Sequence, residues 1–72
     1  MPMEILATRI KELRAAKNLT QEELADKVGA VRQTIAYLER GEYMPSLALA
    51  WRIAKVLETP LEDVFTFINQ DI

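Results

Sequence analysis

The chain has 72 residues, 50% of them apolar and 28% charged, with 9 Lys and Arg against 11 Asp and Glu and neither Cys nor His. At this length roughly 60% of the surface exposed by the unfolded chain is buried on folding, so a single domain over 1–72 is expected, of modest stability that dimerisation would raise. The composition excludes Cys or His metal sites, disulfide frameworks and Cys or His catalysis, and neither a membrane span nor a signal peptide is legible, which predicts a cytoplasmic protein without metal or cofactor. The net charge of −2 stands against a nucleic-acid partner, which ordinarily meets a basic surface.

Apolar residues recur at spacings of three and four, which predicts five short helices. The first is expected from about Met3 to Lys17, with Leu6, Ile10 and Leu13 in one stripe and Asn18 as the stop. Thr20-Gln21-Glu22-Glu23 has the form of a capping box, so the second helix begins near Gln21 and ends at Gly29, a residue that tolerates the left-handed conformation of a sharp exit. The third runs from Val31 or Arg32 to Arg40, with Ile35 and Leu38 inward and Gly41 as its stop. Pro45 disfavours helix at Met44, and Ser46 caps a fourth helix over about Leu47–Leu57. Its apolar residues cover more than one face, which makes it the expected central helix, with Trp51 in the core beside Leu47 and Ala54. Thr59-Pro60-Leu61-Glu62 is a second capping-box sequence, with Pro60 at the first position of a short fifth helix. The β-prone Phe65-Thr66-Phe67-Ile68 that follows must pack or pair with something, because a single strand does not stand alone.

The informative unit is 21–40. Counted from Gln21, apolar residues fall at the fourth, eighth, tenth, fifteenth and eighteenth positions, with Ala25 at the fifth and Gly29 at the ninth. Two helices that cross steeply through a short turn need a small side chain at the crossing and a permissive residue in the turn. With Ile35 and Leu38 inward, Arg32, Gln33, Ala36, Tyr37 and Arg40 form the opposite face of the third helix. Arg pairs with guanine, Gln with adenine, and Tyr offers a hydroxyl or an apolar contact to a thymine methyl, so this face has the chemistry of base recognition.

The stretches LTQEELADKVG, RQTIAYLERGEYMPSLALAWRIAKVL and TPLEDVF resemble the Xre-type, phage-lambda-repressor-like helix-turn-helix regulators over about Ile5–Phe65. The resemblance is greatest to short one-domain dimeric members, which end in a β-strand. It implies an all-α fold of five helices with a short C-terminal extended or β segment, a homodimer, and an operator of two half-sites in double-stranded DNA. It also implies base-reading roles for Arg32, Gln33 and Tyr37, and a backbone-phosphate contact from Gln21 at a helix N-terminus, with Thr34 and Arg40 adding to it. Arg14 and Glu39 occupy positions of a structural ion pair. Two residues depart from the family pattern. Val31 replaces a Ser or Thr cap, leaving the cap absent unless Val31 packs under Ile35, and Glu42 replaces a Lys beside the expected phosphate.

Val64, Phe65, Phe67 and Ile68 are the expected dimer interface, against the simpler alternative that they fold onto the fifth helix. No carboxylate has a partner suited to catalysis, so no enzyme, small-molecule substrate or membrane partner is expected. The competing function is a protein-binding regulatory module, antitoxin-like, with the helix-turn-helix as scaffold. Charge divides unevenly: 1–57 carries all 9 basic residues and a net of +2, whereas 58–72 carries none and a net of −4. The acidity therefore belongs to the end assigned to dimerisation.

Overall fold

The computed structural model describes residues 6–67. In chain order these form β1 (Leu6–Thr8), α1 (Ile10–Ala16), α2 (Gln21–Val28), α3 (Arg32–Glu39), α4 (Leu47–Leu57), α5 (Leu61–Val64) and β2 (Phe65–Phe67). The protein is thus mostly helical, with five helices and a two-stranded antiparallel ribbon in which Leu6 pairs with Phe67, Ala7 with Thr66 and Thr8 with Phe65.

The ribbon corrects the expected first helix. The start of that helix, Met3–Ile5, lies outside the described residues, and 6–8 is strand. The reason is non-local: β2 needs a partner for its main-chain groups, and the segment before Ile10 supplies it. The Arg9 amide donates to the Val64 carbonyl at 3.0 Å, carrying the pairing up to the start of α1, whose first helical bond runs from the Leu13 amide to the Arg9 carbonyl.

The second helix forms as its sequence dictates. The Thr20 hydroxyl accepts the Glu23 amide at 3.0 Å, and the Glu23 carboxylate accepts the Thr20 amide at 2.8 Å. Gly29 closes α2 at φ 74°, and a Cβ there would meet nothing within 4 Å. Its requirement is therefore conformational rather than spatial. Ser46 caps α4 by accepting the Leu49 amide at 3.1 Å. The second expected capping box does not form: Pro60 is itself the N-cap of α5, and the Thr59 hydroxyl donates to the Leu57 carbonyl at 3.0 Å, tying off the end of α4 instead.

All five helices meet in one core in which Ile10, Leu24, Ile35, Leu38, Ile53 and Val64 are fully buried. Each such side chain contributes about 1.5–3 kcal/mol. The small Ala25, expected at the crossing of α2 and α3, is buried at 1% exposure. α4 buries only Ala50, Ile53, Ala54 and Leu57. Trp51, expected in the core, is 57% exposed, because it lies about 100° around the helix from the neighbouring buried Ala50. Leu47, one turn earlier on the same outer face, is 77% exposed.

Candidate nucleic-acid interface

α3 presents Arg32, Gln33, Tyr37 and Arg40 on its exposed side, with Ile35 and Leu38 anchoring the opposite side in the core. Thr34 is half-buried on the flank, as is Gln21 at the start of α2, so these two expected contact residues project less than the other four. Ala36 lies between the exposed side chains and adds no bulk, leaving the face shallow at its centre.

Two hydrogen-bonded sets of side chains divide this face. On the flank toward α2, the Arg32 guanidinium donates to Gln21 Oε1 at 3.3 Å, and Gln21 Nε2 donates to Glu39 Oε1 at 3.0 Å. Glu39 also accepts from Arg14 Nε at 2.8 Å and Nη2 at 3.4 Å. Arg14 Nη1 in turn donates to the Leu19 carbonyl at 2.8 Å, so the set ends on main chain. The Arg14 and Glu39 side chains are only 15% and 7% exposed, which makes theirs a largely buried ion pair between α1 and α3.

On the other flank Gln33 Nε2 donates to the Tyr37 hydroxyl at 2.9 Å, one turn along the helix. The Arg40 guanidinium lies 5.2 Å from the Tyr37 ring centroid, within cation–π range, and its Nε donates to Glu42 at 3.1 Å. Glu42 therefore acts by engaging Arg40, the cation expected at the phosphates.

Val31 is 64% exposed, so it does not pack under Ile35, and its side chain caps nothing. α3 consequently begins without a side-chain cap, beside Arg32 and Gln33.

The expected dimer residues separate. Val64 is fully buried in the subunit's own core, which removes it from any interface; Phe65 is half-buried against the core, Phe67 is 40% exposed, and Ile68 lies outside the described residues. A larger apolar surface was missed in the sequence. Met44, Leu47 and Phe67 line a groove of 260 Å³ together with Pro45, Leu61 and Phe65, and Trp51 stands beside Leu47 on the outer face of α4. The available signal was the i, i+4 pair Leu47 and Trp51, displaced from the Ala50–Ile53–Ala54–Leu57 stripe.

Among the described residues no cluster of acidic side chains is arranged to hold a metal, and no helix is long and apolar enough to cross a membrane. Residues 10–64 match the helix-turn-helix family HTH_3. An uncharacterized HTH-type transcriptional regulator of Archaeoglobus fulgidus is 52% identical over 67 residues, 93% of this chain and 94% of that protein. The uncharacterized HTH-type transcriptional regulator YgzD of Bacillus subtilis is 47% identical over 60 residues, covering 83% of this chain and 91% of its own length. Among solved structures, the restriction-modification controller protein C.AhdI of Aeromonas hydrophila superposes with a TM-score of 0.70 at 36% identity, over 76% of this chain and 83% of that one. A capped helix, a glycine turn and a polar-faced third helix thus coincide with homology over nearly the whole chain, and the protein belongs to the Xre-like helix-turn-helix family of transcriptional regulators.

Proposed function

We propose that the protein is a sequence-specific double-stranded DNA-binding repressor that acts as a homodimer on a palindromic operator, with α3 of each subunit in the major groove. The observation that carries this reading is the exposed face of α3, where Arg32, Gln33 and Tyr37 project together from a helix whose other side is locked into the core. Arg32 and Gln33 supply the donor and acceptor patterns that distinguish guanine and adenine, and Tyr37 adds a hydroxyl or ring edge. Gln21 stands at the positive end of α2, suited to a phosphate, and Thr34 and Arg40 flank the same surface.

The dimer reading rests on the apolar surface of Met44, Leu47, Trp51 and Phe67, to which Phe65 contributes its exposed part. An apolar surface of this kind marks an association surface, and a two-fold pairing there would set the two reading helices on half-sites about one DNA turn apart. Leu47→Glu with Trp51→Glu, both at exposed positions, should give a monomer in sedimentation. A dimer that persists would move the interface elsewhere.

In vitro selection of duplexes bound by the full chain tests the DNA reading. A common half-palindromic sequence should emerge, bound at low salt and released steeply as salt rises, because phosphate contacts displace counterions. Gln33→Ala should relax preference at one base pair of each half-site by about tenfold. No retardation of any duplex at low salt would reject the repressor and leave the protein-binding module, whose support is the same apolar surface and the acidic 58–72 segment.

A further inference from the structure

We propose that Glu39 is a positioning residue for base recognition: through the Gln21 amide, it holds the Arg32 guanidinium at the entrance of the reading helix. This rests on the reading of α3 as the helix that enters the major groove.

Glu39 and Arg32 are seven residues apart on an eight-residue helix, nearly two full turns, and so share one flank. The Gln21 side chain, reaching across from the start of α2, bridges them with hydrogen bonds of 3.0 Å to Glu39 and 3.3 Å from Arg32. The orientation of that amide is chemically determined. A carboxylate only accepts and a guanidinium only donates, so the amide nitrogen must face Glu39 and the oxygen must face Arg32. Were Glu39 neutral and able to donate, the amide could turn and present N–H to Arg32, which would repel it. The charge on Glu39 therefore selects the face of Gln21 that Arg32 meets.

A purely structural ion pair would need only Arg14 and Glu39. The additional links run outward, from a carboxylate that is 7% exposed to a guanidinium on the surface, and an exposed hydrogen bond of that kind adds little to stability. What it adds is restriction of a flexible side chain. Arg32 uses Nη1 toward Gln21, which leaves Nη2 and Nε for the two acceptors of a guanine edge. Ordering Arg32 before contact removes part of the entropy that a bidentate contact otherwise costs. Gln21 keeps a second side-chain N–H and its main-chain amide for phosphate, so one residue serves both readout and backbone contact.

The test uses the full chain and the duplex that it selects in vitro. Arg32→Ala identifies the base pair read by Arg32 as the one whose preference falls, by about tenfold. Glu39→Gln, and separately Gln21→Met, which leaves the Arg14–Glu39 pair intact, should each relax preference at that same pair by roughly threefold or more, beyond any uniform loss of affinity. In the Arg32→Ala background neither should relax it further. Uniform weakening with preference unchanged at that pair would overturn the positioning role while leaving the DNA reading in place. Selection of no duplex by the unaltered protein would remove both. If Glu39→Gln does not fold, as judged by its thermal melt, Gln21→Met decides the matter alone.

Discussion

Helices α2 and α3 have the same length and pack against one another, yet their starts and their terminal charges follow opposite rules. α2 has a full capping box, Glu22 and Glu23 in its first turn, Lys27 in its last and a left-handed glycine at its exit. Every one of these suits the helix dipole or satisfies its terminal groups. α3 starts at an uncapped Val31, places the cation Arg32 in its first turn, and ends on the anion Glu39. Both charges oppose its own dipole. Its exit is closed much as that of α2 is, by Gly41 at φ 72° with the Gly41 and Glu42 amides donating to the Leu38 and Tyr37 carbonyls, so it is the start of α3 that is held from outside, by Ile35 and Leu38 in the core and by the bonds that Glu39 accepts. Local rules are broken where, on the proposed reading, side chains serve a partner.

The contrast can be broken most severely through the core. Leu38→Ala should cost about 2–5 kcal/mol, enough to unfold much of a domain this small, and in native-state hydrogen exchange the amides of α3 should lose protection before those of α2. Next in size, Arg14→Ala should cost about 3 kcal/mol in a denaturant melt, because Glu39 would stay buried without its counter-ion. The caps should differ in sign: Thr20→Ala loses about 1 kcal/mol from α2, whereas Val31→Thr supplies α3 with its missing acceptor and gains up to about 1 kcal/mol. A neutral Val31→Thr would mean that α3 does not need its start stabilised, and that the two starts differ less in energy than in geometry.

The smallest effect lies outside both helices. Glu58, hydrogen-bonded by the Lys17 ammonium at 2.8 Å, has its carboxyl held below the ordinary carboxylate range, first by that hydrogen bond and then by the charge. A carboxyl whose pKa is lower folded than unfolded adds stability that is present above the ordinary value of 4.5 and lost as pH falls through the folded one. The melting temperature should therefore drop slightly less on acidification in Glu58→Gln than in the unaltered protein.

Most of the helical frame was legible because its signals are local. The Thr20 box, Gly29, Ser46 and the inward pair Ile35 and Leu38 lie within a few residues of the structure they dictate. The exposed face of α3 followed from the same arithmetic. What the sequence concealed was non-local. The segment 6–8 has helical spacing but is recruited as a strand by 65–67, at the other end of the described chain. Trp51 reads as core in a helix whose apolar residues cover more than one face, and only the placement of α1, α2 and α5 decides which face of α4 is covered. The Arg14–Glu39 position was implied by family resemblance; its extension through Gln21 to Arg32 depends on where α2 begins relative to α3, which no spacing rule conveys.

The ribbon also bears on how the chain reaches its native state. Pairing Thr8 with Phe65 requires closing nearly the whole polypeptide into one loop, whereas α2 and α3 meet across a three-residue turn. Loop-closure entropy favours the short connection first, so the helix-turn-helix should serve as the folding nucleus and the ribbon should zip up late. Substitutions in β1 or β2 would then mainly speed unfolding, and those at Leu24 or Leu38 would mainly slow folding. The part of the molecule proposed to read DNA would be the first to form.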